Sequence, residues 1–358
     1  MNDVSPEPLK PGATIGILGG GQLARMLSVA ASRLGFRSHI FEPGPAPAGD
    51  VAHSVTAAPY EETTALQAFA AAVDMVTYEF ENVPTAALDV IERIVPIRPN
   101  RRALAVSQDR LDEKDFLTGL GLATAPYHRV DSVEDLATAM ARHDRAILKT
   151  RRLGYDGKGQ VSLSAGDDPA AAWAQVNAPA VLEGFVAFSA EISVIVARGQ
   201  DGAVAAYDPG LNVHRGGILR TTTIPCGLPA RLIPDAVLIA SRIVSALDYV
   251  GVLGVELFVT PAGLIVNEIA PRVHNTGHWT QAGCAVDQFE QHVRAVAGLP
   301  LSDARRHADV VMENLIGDDL DRLPDLLTTP DLQIHLYGKA EVRPGRKMGH
   351  VNRIIRAG

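Results

Sequence analysis

The sequence has little cysteine, no excess of basic charge and no long apolar run, and each shortage excludes a class of protein. Only Cys226 and Cys284 occur among 358 residues, too few for a disulfide scaffold or a four-thiolate zinc site. No apolar run approaches the roughly 20 residues that cross a bilayer, so no membrane protein is expected. A hydrophobic content of 47% excludes a disordered chain. The first residues lack the basic and then apolar pattern of a signal peptide, which predicts a cytoplasmic protein.

Basic side chains are outnumbered, with 33 Lys and Arg against 41 Asp and Glu and a net charge of −8. A nucleic-acid binder usually carries a basic excess, so no nucleic-acid partner is expected. The cations gather instead in two short clusters, Lys149–Arg152 and Arg343–Lys347. Local clusters in an acidic chain favour small phosphorylated ligands over polymers.

Strand-like and helix-like runs alternate over the first hundred residues. Apolar residues between Leu23 and Leu34 recur at spacings of three and four, which predicts one buried helix face. Strands are predicted at Thr14–Leu18, Ser38–Phe41, Met75–Tyr78 and Val95–Ile97, with helices near 61–72 and 85–93. This alternation indicates a parallel sheet with helices on its faces.

After about Ser107 the predicted strands fall in adjacent pairs separated by glycine-rich turns, which indicates antiparallel hairpins. Asp109 is placed to cap one helix, and Asp131-Ser132 to cap another. Ala146–Thr150 is expected to pair with Gln160–Ser164 across a glycine loop. Three strands and one helix are expected beyond Asp309.

A glycine run, Gly19–Ala24, follows the first strand and opens the first helix. With Glu42 at the end of the second strand, it imitates the G-x-G-x-x-A fingerprint of dinucleotide sites. Glycines let the backbone approach an anion, and the helix N-terminus supplies unpaired N–H groups. Any phosphate would satisfy these groups, so a nicotinamide or flavin enzyme, a monophosphate site and a plain tight turn all stay open.

A second glycine loop, Arg151–Gln160, carries three glycines and three cations between two apolar strands, one of which bears Lys149. A hairpin tip with free N–H groups and cations can fold over a triphosphate and exclude water. The loop lacks the P-loop pattern G-x-x-x-x-G-K-S/T. An ordinary basic, solvent-exposed turn is the alternative.

Two strands near the end of the central region carry opposed acids. Val252–Thr260 and Leu264–Ala270 are joined by three residues ending in glycine, a common hairpin loop. That loop would place Glu256 opposite Glu268, where two carboxylates repel each other unless a hard cation such as Mg²⁺ bridges them. Acids facing solvent are the alternative. Asn267 should point to the other face unless a bulge rotates it.

Seven segments together resemble the 5-(carboxyamino)imidazole ribonucleotide synthetase family of the ATP-grasp superfamily. They are GGGQLARML (19–27), YEFENVP (78–84), QDRLDEK (108–114), LKTRRLGYDGKGQ (148–160), NVHRGGILRTT (212–222), NEIAPRVHNTGHWT (267–280) and GKAEVRPGRKMGHVN (338–352). The resemblance implies an α/β and α+β chain with an ATP-grasp fold. It implies a Rossmann-like domain over 1–108, an ATP-grasp domain over 109–298 with a lid at about 109–184, and a small β-rich domain over 299–358.

The resemblance also implies a reaction. ATP and bicarbonate would carboxylate 5-aminoimidazole ribonucleotide through carboxyphosphate, in purine (IMP) biosynthesis. Two Mg²⁺ ions, with Mn²⁺ as an alternative, would assist. The product would pass to the carboxyaminoimidazole ribonucleotide mutase, and the chain would form a homodimer.

On the nucleotide side, the resemblance implies phosphate contacts, a loop over the triphosphate, an adenine hinge and a ribose contact. The implied residues are Arg110, Lys149, Gly154, Tyr155, Asp156, Gly157, Lys158, Gly159, Gln160, Glu183, Val186, Glu191, His214, Asn267 and Glu268. Glu256 and Glu268 would carry Mg²⁺.

On the substrate side, Lys149, Asp156, Arg272 and His274 are the implied catalytic residues. Substrate contacts are implied for Gln22, Leu23, Glu79, Tyr155, Asp156, Lys158, Arg272, His274, Asn275, Thr276, Lys339 and Arg346. Leu153 departs from the family by standing where a glycine is expected. The rivals are formate-dependent glycinamide ribonucleotide transformylase, a nicotinamide oxidoreductase and a non-catalytic ATP-grasp module.

Overall fold

The computed structural model describes residues 7–154 and 159–355 of the chain. Its first elements are β1 (Thr14–Leu18), α1 (Gln22–Arg33), β2 (Arg37–Phe41), β3 (Ser54–Thr56), α2 (Thr63–Ala71), β4 (Met75–Tyr78), α3 (Thr85–Ile91) and α4 (Arg101–Gln108). The strands pair in parallel in the order β3-β2-β1-β4, as the alternation predicts.

One predicted strand of this region is wrong. Val95–Ile97 contributes only an isolated bridge between Ile97 and Val76. The Val95 N–H is taken by the carbonyl of Ile91 at the end of α3, and Pro96 has no N–H to give. The short strand β3 was not predicted.

The next elements form an antiparallel layer in the order β5-β8-β6-β7. They are α5 (Arg110–Gly119), β5 (Tyr127–Val130), α6 (Val133–Met140), β6 (Arg145–Thr150), β7 (Gln160–Ser164), α7 (Pro169–Val176) and β8 (Ala180–Gly184). The predicted caps are confirmed, since Asp109 accepts from the Leu111 N–H and Ser132 from the Asp135 N–H. The predicted hairpin is confirmed too, with Ala146 opposite Leu163.

A long antiparallel sheet follows, in the order β14-β13-β9-β11-β12-β15-β17-β16, with β10 beside β9. Its elements are β9 (Ala190–Arg198), β10 (Val204–Ala206), β11 (Gly210–Arg215), β12 (Ile218–Ile224), α8 (Leu232–Ala246), β13 (Gly251–Thr260), β14 (Gly263–Ala270), α9 (Thr280–Gly283), α10 (Gln288–Ala297), β15 (Asp309–Ile316), α11 (Leu323–Thr328), β16 (Leu332–Leu336) and β17 (Lys347–Ile355). Short 3₁₀ turns occupy Pro47–Asp50, Asn275–Gly277 and Gly317–Arg322. Because β15 pairs with β12, the C-terminal strands continue the sheet of the central region.

Strand β9, within the long sheet, is buried on both faces. Val194 and Val196 of β9 face α8, whereas Ile195 and Ala197 face the side that carries α1 and α10. Each fully buried side chain of this size contributes roughly 1.5–3 kcal/mol. The acids Glu256 on β13 and Glu268 on β14 are therefore presented by a rigid scaffold. Within the described ranges, no helix combines the length and the apolar character that crossing a membrane requires.

Candidate active site

Glu256 and Glu268 face each other across β13 and β14, but the hairpin reaches this pairing by a different route from the one predicted. Thr260 pairs with Gly263, so the loop has two residues and not three. A regular ladder would then set Glu256 opposite Asn267. A bulge at Asn267 shifts the register by one residue and restores the acid pair. The predicted loop length is wrong, and the two deviations cancel.

Helix α5 holds this bulge. The Glu113 Oε1 accepts a hydrogen bond from the Ile269 N–H at 2.7 Å, and the Lys114 Nζ donates to the Asn267 carbonyl at 2.9 Å. Both side chains are buried. Sequence analysis missed them, although their spacing of three and four residues from Arg110 places all three on one helix face.

The acid pair is electrostatically asymmetric. Burial, and then the charge of Glu268, raises the pKa of Glu256 to about 8. Burial also opposes ionisation of Glu268, but Arg110 and Lys149 outweigh it and lower the pKa of that carboxyl. The Arg110 Nη1 lies 3.3 Å from the Glu268 Oε2. Near neutral pH the pair therefore holds one proton and one negative charge.

Lys149 is held by Glu183, the residue implied at the adenine hinge. The Lys149 Nζ donates to the Glu183 Oε2 at 3.0 Å, and the buried Lys114 Nζ lies 3.5 Å from the same oxygen. Burial would raise the pKa of Glu183, but the two lysines bring it below its usual value. The Glu183 Oε1 is buried and, within the described ranges, has no hydrogen-bond partner. Val186 lies just beyond β8 and is half-buried.

Glu191 and His214 form an ion pair between the neighbouring strands β9 and β11. Burial lowers the pKa of His214, but the contact with Glu191 and the charge of Glu256 raise it on balance. The implied ribose contact and the residue implied at the nucleotide's border thus lie together, within electrostatic range of the acid pair.

Only the ends of the second glycine loop belong to the described residues. Gly159 has φ +72, and a Cβ there would lie 2.7 Å from the Thr150 Oγ1, so this position requires glycine. Leu153 is 70% exposed and also left-handed, with φ 64. The Gly154 carbonyl lies 3.4 Å from the Arg110 Nη2, and Gln160 pairs with Lys149. The implied Tyr155, Asp156, Gly157 and Lys158 lie outside the described residues.

Two arginines of the basic cluster already have partners. Arg151 makes a two-pronged contact with Asp109, at 2.9 and 2.8 Å, and the Arg152 Nη2 donates to the Gln108 Oε1 at 2.8 Å. These contacts fasten the loop to α4 and α5.

The first glycine run is occupied by carboxylates. The Gly20 N–H donates to the Glu42 Oε2, and the Gly21 N–H donates to the Glu79 Oε1, both at 2.8 Å. A dinucleotide pyrophosphate would therefore meet two acids. Glu79, implied at the ribose, also accepts from Ala24 at 3.3 Å, and burial raises its pKa. The first N–H groups of a helix lack an intrahelical acceptor, so those of Gln22 and Leu23 stay the predicted contacts for a monophosphate.

The segment after β14 carries Arg272, His274 and Asn275, and it brings His274 to the acid pair. The His274 Nε2 lies 3.7 Å from the Glu256 Oε1, and the Arg272 Nη2 lies 2.6 Å from the Glu81 Oε2. Burial, and then the charge of Arg272, lowers the pKa of His274 well below its usual value, so the ring is neutral. Both amide atoms of Asn275 are buried without a hydrogen-bond partner among the described residues.

The tautomer of His274 follows from its contacts. Its Nδ1 accepts from the Thr276 N–H at 3.4 Å and lies 2.8 Å from the Thr276 Oγ1. The ring proton therefore sits on Nε2, the nitrogen that faces Glu256. Thr276 is itself buried.

The two implied C-terminal cations, Lys339 and Arg346, each donate to a backbone carbonyl. The Lys339 Nζ donates to the Lys347 carbonyl at 2.7 Å, and the Arg346 Nη1 donates to the Glu341 carbonyl at 3.0 Å. Lys347, which sequence analysis did not single out, lies within electrostatic range of Glu256. Its positive charge offsets part of the rise in the Glu256 pKa. Its place at the start of β17, in the basic cluster already noted, was the available signal.

A cleft joins these groups at the end of β14. Its walls include Glu81, Arg110, Gly154, Glu268 and Arg272. The cleft thus connects the acid pair and the glycine loop with the segment after β14.

The fold and this cleft define the class of protein. An ATP-grasp domain model matches residues 115–289, a ribonucleotide synthetase preATP-grasp domain matches 12–108, and a phosphoribosylaminoimidazole carboxylase C-terminal domain matches 310–356. The chain is an ATP-grasp enzyme, an ATP-dependent ligase.

Within that class, the chain belongs to the N5-carboxyaminoimidazole ribonucleotide synthase family. It is 53% identical over 352 residues to the synthase of Brucella melitensis biotype 1, covering 97% of each chain. The ADP complex of an N5-carboxyaminoimidazole ribonucleotide synthetase has a TM-score of 0.94 and 37% identity, covering 98% of this chain and 94% of that one. An Aspergillus clavatus synthase, solved with ADP and 5-aminoimidazole ribonucleotide, has a TM-score of 0.90 and 30% identity, covering 96% and 94%. The expected family and fold are confirmed.

Proposed function

We propose that the chain carboxylates 5-aminoimidazole ribonucleotide on its exocyclic amine, using ATP and bicarbonate, in purine biosynthesis. One observation carries the proposal. Glu268, which faces Glu256 across β13 and β14, lines one cleft with Arg110, Gly154 and Arg272, in a chain that matches the Brucella synthase over nearly its full length. A nicotinamide oxidoreductase is disfavoured because carboxylates fill the first glycine run.

The acid pair fits a hard divalent cation. Its oxygen donors are the kind that Mg²⁺ prefers, and the raised pKa of Glu256 reflects a repulsion that a cation would relieve. Across residues 7–154 and 159–355 there is no group of three or more His, Cys, Asp or Glu that could hold a metal. Glu256 and Glu268 would therefore supply the protein ligands, and phosphate oxygens and water the others. The metal would neutralise charge on the transferring phosphoryl group.

The nucleotide would lie between the two antiparallel sheets. Arg110 and Lys149 would contact its phosphates, and residues 154–160 would cover them. Glu191 would hold the ribose hydroxyls, His214 would border the nucleotide, and Glu183 and Val186 would contact the base. Phosphoryl transfer depends mainly on alignment and charge neutralisation, which these fixed cations supply.

Bicarbonate would take the γ-phosphoryl group to give carboxyphosphate and ADP. The exocyclic amine would then form a C–N bond to the carboxyphosphate carbon, or to the CO₂ that it releases, while phosphate departs and the amine loses a proton. Arg272 has the planar donor geometry that grips a carboxylate. His274, neutral with its proton on Nε2, would act as a hydrogen-bond donor. The unsatisfied amide of Asn275 would bind the same reacting groups.

The substrate phosphate would bind at the N–H groups of Gln22 and Leu23, with Lys339 and Arg346 approaching from the C-terminal strands. Glu79 would meet the ribose hydroxyls while keeping its bond to Gly21. We further propose that the chain works in the cytoplasm as a homodimer and passes its product to the carboxyaminoimidazole ribonucleotide mutase.

ADP release tests the proposal. With Mg²⁺ and ATP, it should require both bicarbonate and 5-aminoimidazole ribonucleotide, and ¹³C-bicarbonate should label the product. ADP release that ignores the ribonucleotide, or that requires formate and glycinamide ribonucleotide, would overturn it. Omitting the metal should abolish turnover.

A further inference from the structure

Gln288, the first residue of α10, is fully buried and bonds to the segment that follows the acid pair. Its Oε1 accepts from the His274 N–H at 2.8 Å, and its Nε2 donates to the His274 carbonyl at 2.7 Å. The same Nε2 donates to the His278 Nδ1 at 3.0 Å. The side-chain amide thus uses both donor hydrogens and its acceptor on residues 274 and 278.

These contacts fix how the amide is oriented. The His274 N–H can only donate and the His274 carbonyl can only accept, so the oxygen and nitrogen of Gln288 cannot be exchanged. His278 is buried, and burial lowers its pKa well below the usual value. Its neutral ring accepts at Nδ1 and carries its proton on Nε2.

Residues 274–280 are closely packed against Gln288. A Cβ at Gly277 would lie 2.6 Å from the Gln288 Oε1 and 2.8 Å from the Ile195 Cγ1. At the start of α10, the Gln288 N–H donates to the Thr280 Oγ1 at 3.1 Å. Residues 274–280 are therefore tied to one helix terminus at three places.

We infer that Gln288 is a positioning residue for the substrate-binding segment Arg272–Thr276. By fixing both backbone groups of His274, it aims the His274 ring at Glu256 and leaves the Asn275 amide free to bind the reacting groups. This inference rests on the proposed function of that segment. A misplacement of about 1 Å in such groups can cost as much as 100-fold in rate.

The chain offers a matched control one turn further along α10. Gln291 is also fully buried and makes the same kind of double backbone contact, but to Ser302: its Nε2 donates to the Ser302 carbonyl at 2.7 Å, and its Oε1 accepts from the Ser302 N–H at 3.0 Å. Gln288→Met leaves the His274 N–H without its partner, although the His274 carbonyl still accepts from the Gly277 N–H at 3.0 Å. Gln291→Met removes the side-chain partner of both backbone groups of Ser302, so both variants should lower Tm. Only the first should disturb the site.

The experiment measures kinetics, ADP binding and amide hydrogen exchange in the full chain. Gln288→Met should lower kcat/KM for the ribonucleotide by about 10-fold to 100-fold, leave the ADP Kd within about twofold, and speed exchange over 274–280. Gln291→Met should change exchange near Ser302 and leave kcat/KM within about twofold. Gln288→Glu keeps an acceptor for the His274 N–H but sets its second oxygen against the His274 carbonyl and the His278 Nδ1, so it should lower kcat/KM at least as much as Gln288→Met.

Equal kinetic losses in the two Met variants, or unchanged exchange over 274–280 in Gln288→Met, would overturn the inference. If Gln288→Met does not fold, the same comparison is made with Gln288→Glu. A wild-type chain that releases no ADP in response to the ribonucleotide would refute the proposed function instead. Hydrogen exchange would then still decide whether Gln288 orders the segment.

Discussion

Replacing the buried Glu113 with glutamine should remove a large part of the pH dependence of stability. Burial, and then the charge of Glu268, raises the pKa of Glu113 from 4.5 to about 8. In the folded protein the carboxyl stays protonated over a range in which the unfolded chain is ionised. Stability therefore falls as pH rises from about 4.5 to about 8.

The size of the effect follows from these two values. Between its unfolded and its folded pKa, each buried carboxyl of this kind lowers the free energy of unfolding by about 1.4 kcal/mol for every unit that the pH rises. Between about pH 5.5 and 7.5, Glu113 should lower the free energy of unfolding by roughly 2–3 kcal/mol. Glu113→Gln cannot titrate, and its amide oxygen can still accept from the Ile269 N–H, 2.7 Å away in the wild type. The variant should match the wild type near pH 5 and exceed it increasingly above.

Urea unfolding followed by far-UV circular dichroism, at constant ionic strength and several pH values, measures this difference. Glu61→Gln, at an exposed position, is the control and should leave the slope unchanged. Parallel pH profiles for Glu113→Gln and the wild type would refute the buried, protonated Glu113. A variant destabilised equally at every pH would show that the Ile269 contact requires the carboxyl.

Three further predictions concern the site. Glu268→Gln should abolish turnover because one of the two proposed metal ligands is lost, and near-normal ADP release would contradict the acid-pair site. Arg346→Ala should raise the KM for the ribonucleotide tens-fold if about 2 kcal/mol of charge-assisted bonding is lost. A selective rise in the KM for ATP would contradict the proposed location of the substrate-phosphate site. Leu153→Gly should raise the free energy of unfolding by up to about 1 kcal/mol by relieving a left-handed leucine, and Leu153→Ala, which keeps that strain, should not.

Sequence patterns predicted the elements whose signals are local. The alternation of strand and helix gave the parallel sheet, and Asp109 and Ser132 cap the helices expected of them. The strand predicted at Val95–Ile97 is wrong because the Val95 N–H donates to the end of α3 and Pro96 has no N–H to donate. Family resemblance supplied most candidate residues of the site, which no periodicity could have given.

Long-range contacts were beyond the sequence. The Asn267 bulge could not be predicted, because the side chains that hold it, Glu113 and Lys114, lie about 155 residues earlier in the chain. Gln288 carries no local signal either, since a glutamine after a helix cap is common. Its partners become visible only when the segment after β14 folds back onto α10.

One part of the site is a short continuous segment, from Glu268 to Thr276, held at each end by a different helix. α5 holds the end that bears the acid pair, and α10 holds the end that bears His274 and Asn275. Under the proposed function the first end would face the nucleotide phosphates and the second the ribonucleotide, so loosening either helix contact should affect one ligand more than the other. Lys114→Met should then weaken ADP binding, since it frees Asn267 and removes a partner of Glu183 beside Lys149. Isothermal titration calorimetry would measure the Kd for ADP. An unchanged Kd would show that the Asn267 bulge persists without the Lys114 contact.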